Sequence, residues 1–322
     1  MTSLPLATPP PAFSLVNALF PRIMLAIDFG SASLGAARWA TTHVVQGGEA
    51  VLMHVVPCED DLRCADGRYY TEHESVRDVT PGLTGGLGGF AATLDVATAT
   101  SLVRSGQPSR CLALAIKRTR TSLLVLGRRA ASNRIRIGEP NVIERVARRT
   151  SASVLVIPEG TTLAPRHVVA AVDTSSFAAT VLHVASRLAA LHEVPLSVLH
   201  VHSPVAGAYE RVIRTAKQLL APGKDRAARR TSNAMLPASL SLRKRRWLVE
   251  LGQAHAGIGR EAIEVVIGDA AREIAQTAAE RDAALLVIGT RGADEAPEGS
   301  LGSVARELLT RAPVPVLAVN GA

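Results

Sequence analysis

The residues with the clearest chemical potential lie near the C-terminal end of this chain. An apolar run ending at Ile288 is followed by Gly289-Thr-Arg291-Gly292, by nine further residues, and then by Gly302-Ser303. Glycine has no Cβ, so the backbone at these positions can come close to a ligand. A helix starting at Ser303 would present free N–H groups and the positive end of its dipole to an anion. The spacing therefore predicts a site for a phosphate-bearing molecule.

The strands that must position this loop belong to an internal repeat. Ile23-Met-Leu-Ala-Ile-Asp28 returns as Val168-Val-Ala-Ala-Val-Asp173, and Leu123-Leu-Val-Leu-Gly127 returns as Leu285-Leu-Val-Ile-Gly289. Apolar runs without polar alternation are typical of parallel sheets covered on both faces. Each repeat is therefore predicted to be an α/β unit with a doubly wound parallel sheet. In such a sheet, ligands bind beyond the carboxyl ends of the strands where the strand order reverses.

Five strands are predicted in each repeat, with helix-length segments between most of them. They are placed near 23–28, 51–56, 94–97, 123–127 and 154–157, and near 168–173, 196–201, 263–267, 285–289 and 316–319. The glycine-rich segment 82–89 lacks the Lys-(Ser/Thr) pair of a P-loop, and we interpret it as a flexible loop. His54 and His200 lie within apolar runs, which favours histidines of the core or sheet edge over catalytic or metal-binding ones.

Composition excludes several classes of protein. With 322 residues, of which 47% are hydrophobic and 3% aromatic, the chain suits two domains with aliphatic cores. No apolar run approaches the roughly 18 residues needed to cross a bilayer, and the three cysteines form no C-x-x-C pair. We expect a soluble, cytoplasmic protein without membrane association. No catalytic or metal-binding residue is predicted, because no nucleophile, paired-carboxylate or metal-ligand pattern occurs.

Positive charge is concentrated in one part of the second repeat. The chain has a net charge of +8, and eight basic residues face the single acid Asp225 within 224–246. The cluster 243–247 ends in Trp247 and could contact nucleic acid or an acidic partner. Basic faces on inserted helices are, however, commonly only solvated. We therefore do not expect nucleic acid as a partner.

The Gly-x2-Gly-x9-Gly-Ser pattern, together with an aspartate ending the first strand, resembles the universal stress protein family. The closing segment 311–319, Arg-Ala-Pro-Val-Pro-Val-Leu-Ala-Val, is also similar to the usual ending of that family. The resemblance implies two tandem Rossmann-like domains of the adenine nucleotide alpha hydrolase-like type, at 22–160 and 165–322. It further implies a pseudo-dimer in which 154–157 and 316–319 pair. Residues 1–21 contain five prolines and no charged side chain, and we interpret them as a disordered leader; a true start at Met24 is the alternative. Residues from about 205 to 260 form a basic insertion.

The same resemblance implies that the second domain binds ATP or another adenine nucleotide. Asp173 would face the ribose or adenine, and Val201 would lie beside the base through its backbone. The remaining predicted contacts would flank the ribose (Ile288, Gly289) and surround the phosphates (Arg291, Gly292, Gly302, Ser303, Val304). The acids Asp294, Glu295 and Glu298 in the intervening span would oppose a triphosphate, and a divalent cation such as Mg²⁺ would offset them.

The first repeat departs from the pattern. Ala130 replaces the second glycine, and Pro140-Asn141 aligns with Gly302-Ser303. Because proline has no N–H, this helix start offers an anion one donor fewer. We therefore expect a degenerate nucleotide site. Arginines in the same loop leave both weak anion binding and a solvated basic loop open (Arg128, Arg129, Arg134, Arg136).

These expectations favour a stress-response protein that binds an adenine nucleotide and changes its contacts with protein partners. Two alternatives remain. One is a nucleotide-free interaction scaffold that uses the basic insertion, and the other is a weakly ATP-hydrolysing enzyme. Nucleotide that copurifies with the protein would separate the first reading from the scaffold, and turnover with a divalent metal would identify the enzyme.

Overall fold

The computed structural model describes residues 19–45, 47–57, 74–129, 141–175, 177–202, 246–254, 262–281, 284–291 and 301–320. The chain divides into two compact units. Unit 1 comprises Met1–Ala164 and Arg187–Glu193, and unit 2 comprises Pro165–Ser186 and Val194–Ala322. Within the described part of the chain, no helix is both long and apolar enough to cross a bilayer.

Unit 1 alternates strands and helices around a parallel sheet. Its elements are β1 (Arg22–Ala26), α1 (Ser31–His43), β2 (Glu49–Val56), α2 (Glu74–Ala91), β3 (Thr98–Ser105), α3 (Pro108–Thr119), β4 (Leu123–Arg128), α4 (Val142–Ala147) and β5 (Ser153–Pro158). The strand order is β3-β2-β1-β4-β5, and every pair is parallel. Leu25 on β1 lies opposite Leu52 on one side and Val125 on the other, and all three are buried.

Unit 2 repeats this plan. Its elements are β6 (His167–Ala171), α5 (Ala178–His192), β7 (Leu196–His202), α6 (246–254), β8 (Ile263–Ile267), α7 (Ala270–Glu280), β9 (Ala284–Gly289), α8 (Ser303–Arg311) and β10 (Val316–Val319). The order β8-β7-β6-β9-β10 matches that of unit 1, again with parallel pairs. The predicted doubly wound α/β fold is therefore confirmed in both units.

The third strand of the first repeat was predicted in the wrong place. Residues 94–97 lie in the turn after α2, and the strand is Thr98–Ser105. This strand lies at the edge of the unit 1 sheet, where it pairs with β2, and Val103 is its one buried residue. Because an edge strand needs few apolar side chains, its polar sequence concealed it and the short apolar run 94–97 was chosen instead.

The glycine-rich segment 82–89 was also interpreted wrongly, because it lies within helix α2. Each glycine lowers helix stability by about 1 kcal/mol relative to alanine. Leu87, in the middle of the segment, is fully buried. Packing of the helix therefore outweighs the low helix propensity of its glycines.

The ordered core starts slightly earlier than the sequence indicated. Phe20, placed in the leader, is 3% exposed and belongs to the core. Residues 1–18 of the leader lie outside the described residues. So does most of the basic insertion, of which the structure describes 246–254, with Leu248 fully buried.

Candidate functional site

In unit 2, the strand order reverses between β6 and β9, and several predicted site residues meet there. Pairing of β6 with its neighbours ends at Ala171, which lies opposite Leu199 and Ile288. Asp173 follows two residues after β6, and Val201 lies on β7 beyond its pairing with β6, opposite Val266 of β8. Gly289 ends β9. These residues therefore occupy the carboxyl edge of the sheet, where doubly wound folds bind ligands.

Asp173 organises the loop that leaves β6. Its Oδ1 accepts hydrogen bonds from the Ser175 amide, at 3.0 Å, and from the Ser175 hydroxyl. An aspartate that binds the backbone two residues on forms a turn of its own. The half-buried carboxylate is therefore held at the mouth of the crevice.

The end of β9 lies deep in the sheet. Ile288 is 3% exposed and lies opposite both Ala171 and Ala318. A Cβ added to Gly289 would lie 3.1 Å from the Arg291 carbonyl oxygen and 3.7 Å from Phe177 Cβ. The chain's own backbone thus passes close to Gly289, and a side chain here would need its neighbours to shift.

Arg291 is held by an aromatic ring that sequence reasoning missed. Its guanidinium carbon lies 5.7 Å from the centroid of the Phe177 ring, within the range of a cation–π contact. Phe177 lies in the loop after β6, so this contact joins the two loops that border the crevice. Two features of the sequence could have indicated it. Aromatic residues make up only 3% of the chain, and this one lies four residues after Asp173.

Helix α8 begins at Ser303, as predicted, with Gly302 as its N-cap. The Gly302 amide donates to the Thr290 carbonyl at 2.9 Å, so this N–H is not available to a ligand. That bond instead ties the helix start to the end of β9. The amides of the first turn have no partner within the helix, and in the described residues no side chain caps them. Ser303 is exposed, and Val304 is partly so.

Two parts of the predicted site lie outside the described residues. They are Gly292 and the acidic span with Asp294, Glu295 and Glu298. Where the structure describes the chain, it places no three His, Cys, Asp or Glu side chains close enough together to hold a metal ion.

The equivalent crevice in unit 1 is bordered by an ion pair. Asp28 Oδ2 lies 2.9 Å from Arg129 Nη2, and Oδ1 accepts from the Gly30 amide and the Ser33 hydroxyl. Burial alone would raise the pKa of Asp28. The Ser33 and Gly30 hydrogen bonds and the positive charge of Arg129 outweigh burial, and the pKa lies below its ordinary value. The predicted basic loop thus contributes one arginine to the carboxylate of its own repeat.

A second set of contacts fills the same region of unit 1. Phe29 adopts a φ of 60°, a conformation that residues with a Cβ rarely take. Its ring lies 5.1 Å from the His54 ring and alongside Gly86 of α2. At the start of α1, the Ser31 hydroxyl donates to the Glu159 carboxylate. Side chains of unit 1 therefore occupy both the outer part of the crevice and the helix start beside it.

Helix α1 also approaches β4 more closely than α5 approaches β9. A Cβ added to Gly127 would lie 2.2 Å from the Ala32 carbonyl oxygen, a severe clash. Helix α1 starts three residues after Asp28, whereas α5 starts at Ala178, five residues after Asp173. The first two residues of α1 have no helical counterpart in unit 2, and the backbone of this helix start lies against Gly127 near the end of β4.

The helix that follows β4 differs from α8 in its capping. Helix α4 starts at Val142, and the Asn141 side chain accepts from the Glu144 amide at 2.8 Å. In unit 1, a side chain thus already binds an amide of the first turn. Gly302, the N-cap of α8 in unit 2, has no side chain that could do so. Ala130 and Pro140, on which the sequence comparison relied, lie outside the described residues.

One histidine plays the same part in each unit. Nδ1 of His54 lies 2.7 Å from the Ile27 carbonyl oxygen, and Nδ1 of His200 lies 2.8 Å from that of Val172. Because a carbonyl can only accept, Nδ1 carries the proton in both rings. Each ring joins the ends of two adjacent strands. His200 is 4% exposed, in agreement with the predicted core role.

Comparison with known proteins identifies the family. A model described as the Universal stress protein family matches residues 19–158 and 165–320. No curated protein sequence matches the chain.

Three solved structures have a similar fold across nearly the whole chain. A universal stress protein from Archaeoglobus fulgidus DSM 4304 has 18% identity and a TM-score of 0.56, over 94% of this chain and 99% of that one. A protein from Pseudomonas aeruginosa UCBPP-PA14, provisionally named a universal stress protein, has 17% identity and a TM-score of 0.57, over 95% and 94%. A functionally unknown protein from Pseudomonas aeruginosa PAO1 has 17% identity and a TM-score of 0.54, over 94% of each. At these identities the likeness establishes the fold.

Proposed function

Because the chain belongs to the universal stress protein family, we propose that unit 2 binds ATP or a related adenine nucleotide. The observation that carries the proposal is the uncapped start of α8, tied to the end of β9 by the bond from Gly302 to Thr290. N–H groups at a helix start favour a phosphate through both hydrogen bonding and the helix dipole. The amides of Ser303 and Val304 are the donors that remain for this role.

The other contacts follow from the edge of the sheet. Asp173 would accept hydrogen bonds from ribose hydroxyls, and the backbone of Val201 would meet the base. Arg291, held over Phe177, would supply positive charge toward the phosphates. The residues present suit a nucleotide, and Mg²⁺ bound with it would offset the acidic span 293–300.

Unit 1 would not bind a nucleotide in the same way. Arg129 and Phe29 lie where a ligand would enter, and Asn141 caps the helix that corresponds to α8. We therefore expect one nucleotide per chain. The pairing of 154–157 with 316–319 remains a prediction.

The bound nucleotide would act by recognition rather than turnover. In this proposal the nucleotide contacts the loop between Gly289 and Gly302 and so changes the surface offered to protein partners. No side chain near the crevice has the arrangement of a general base or nucleophile in the residues described. A nucleotide that is held and not consumed would serve as a signal of the state of the cell.

The direct test is to release small molecules from purified, denatured protein and identify them by mass spectrometry. Calorimetric titration with ATP, with and without Mg²⁺, would follow on nucleotide-free protein. We expect an adenine nucleotide at about one per chain. Neither released nucleotide nor heat of binding in either titration would contradict the proposal and favour the nucleotide-free scaffold.

A matched pair of variants would locate the site. Ser303→Glu places a carboxylate at the start of α8 and should weaken ATP binding at least about tenfold through repulsion of the phosphates. Asn141→Glu makes the same change at the aligned position of unit 1 and should leave binding unaltered. An unchanged affinity in Ser303→Glu would place the nucleotide elsewhere.

A further inference from the structure

Positive charge in unit 1 extends well beyond the basic loop at 128–136. Residues 104–158 contain 12 basic and two acidic residues, a net charge of +10. The whole chain carries +8, so the remainder carries −2. Such an asymmetry along a chain indicates a surface for an anionic partner.

Helix α3 carries part of this positive charge in a stripe of side chains that are exposed to solvent. Arg110, Leu114, Lys117 and Arg118 are exposed, at i, i+4, i+7 and i+8 of the helix. These positions share one face and span about 12 Å. The opposite face, with Leu112 and Ile116 among others, is buried. The stripe is therefore fixed in place by the packing of the helix behind it.

Helix α4 extends the charged surface. It packs against α3, and Nη1 of Arg149 lies 3.2 Å from the Ser109 hydroxyl at the start of α3. The one acid on the two helices, Glu144, pairs with Arg148 at 2.7 Å. We call the resulting surface the basic face. Its residues are Arg110, Lys117, Arg118, Arg120, Arg145, Arg148 and Arg149.

The chemistry of this face fits the phosphates of a nucleic-acid duplex better than a protein. Protein interfaces have few charges at their centre and are built around apolar and aromatic anchors. On α3 and α4 the exposed large apolar side chains are Leu114 and Val142, one on each helix. Surfaces that bind nucleic acid are much more uniformly positive. Neither helix contains an aromatic residue on which an unpaired base could stack, which favours a duplex over a single strand.

We propose that the basic face binds double-stranded nucleic acid through its phosphates, without reading its sequence. The arginines would contact phosphate oxygens, with Lys117 as an additional point charge. The expectation against nucleic acid concerned the cluster 243–247 of the second repeat, not helices α3 and α4 of unit 1. This proposal is independent of nucleotide binding in unit 2.

The test measures the affinity of the full chain for a fluorescent duplex of about 24 base pairs and arbitrary sequence, by anisotropy over a range of salt concentrations. We expect binding that weakens with salt, with a log–log slope of about −3 to −5, since each phosphate contact contributes roughly −0.9. The triple variant Arg110→Glu, Lys117→Glu, Arg118→Glu should lose at least about tenfold in affinity and show a smaller slope.

Two further variants make the result specific. A control with Arg166→Glu, Arg272→Glu and Arg311→Glu, all exposed residues of unit 2, changes the net charge equally and should keep the affinity within about twofold. Replacement with glutamine at 110, 117 and 118 removes the positive charges of the basic face without adding negative ones. Circular dichroism would report whether each variant keeps its fold.

Each possible result either supports the proposal or overturns it. Loss in the basic-face variants with binding kept in the control supports the proposal. Equal loss in both sets would mean that net charge alone is responsible and would overturn it. Absence of duplex binding at low salt would overturn it as well, as would binding of polyglutamate in preference to the duplex, which would indicate an acidic protein partner.

Discussion

The two units have the same strand order, but the charged side chains at the carboxyl edges of their sheets make different contacts. In unit 1, Arg129 pairs with Asp28, and Phe29 lies against His54. In unit 2, the residue equivalent to Arg129 is Arg291, and it lies over Phe177 instead of the aspartate. One repeat thus pairs its arginine with the aspartate that follows its first strand, whereas in the other the arginine contacts an aromatic ring. Identical topology therefore does not give an identical site.

The difference begins with the length of one loop. Helix α1 starts two residues earlier relative to its aspartate than α5 does, and its first turn lies against Gly127. In unit 1 the backbone of α1 lies next to Gly127, whereas in unit 2 the Phe177 side chain lies near Gly289. A shift of two residues in a helix start therefore changes which atoms lie beside the glycine of each crevice.

The largest effect on stability should come from replacing with alanine the glycines near the ends of β4 and β9, Gly127 and Gly289. Gly127→Ala would bring a methyl group to 2.2 Å from the Ala32 carbonyl oxygen and should lower the free energy of unfolding by about 3 kcal/mol or more. Gly289→Ala meets its nearest atom at 3.1 Å and should cost about 1 kcal/mol. Urea denaturation would measure both, and equal losses would contradict the closer approach in unit 1.

The two aspartates should differ in ligand binding. Asp173→Ala should weaken ATP binding about tenfold or more, because it removes hydrogen bonds to a charged acceptor. Asp28→Ala removes the same kind of loop contact in unit 1 and should leave ATP affinity unaltered. Calorimetry would measure both variants, and an equal effect on affinity would show that unit 1 also binds nucleotide.

The two arginines should have small and distinct effects. Arg129→Gln should raise the pKa of Asp28 toward its ordinary value, because one of the influences that lower it is lost. Arg291→Gln should leave that pKa unaltered. Carbon-detected NMR titration of the carboxyl groups would follow it. Both changes should cost less than about 1 kcal/mol in stability, since each arginine contact is largely exposed or a single ring contact.

The smallest effect should appear at the opposite edge of the sheet, where the units also differ. Arg22 begins β1 and pairs with Glu49 at 2.7 Å, whereas His167 begins β6 and lies 2.8 Å from the Ser197 hydroxyl. Burial, and then the charge of Arg281, lower the pKa of His167. In the native state the ring therefore resists protonation, and unfolding takes up a proton below pH about 6.5.

The contribution of His167 to stability should thus be complete above pH about 6.5 and decline as the pH falls through its lowered pKa. His167→Gln should show a weaker decline than the unaltered protein over the same range. Thermal unfolding at several pH values would measure the difference. Comparison with the variant is needed because burial also lowers the pKa of His43 and His192. Identical profiles would show that His167 is not responsible.

Much of the framework could be predicted from local sequence. The repeat, the doubly wound sheet, and the helix start at Ser303 depend on unbroken apolar runs and on glycine spacing, which are visible along the chain. The strand at Thr98–Ser105 could not be found in this way, since an edge strand lacks the apolar pattern. Helix α2 was missed because its glycines have low helix propensity and its stability depends on packing.

The sequence by itself determined that two copies of one α/β plan follow each other and that the second has the Gly-x2-Gly-x9-Gly-Ser spacing, which the first lacks. Only the tertiary structure decided where the charges of each copy lie. The ion pair of Arg129 with Asp28, the contact of Arg291 with Phe177 and the bond from Gly302 to Thr290 join residues that are distant or differently spaced along the chain. Such contacts depend on distances of a few ångströms between separate elements, which periodicity and spacing do not encode.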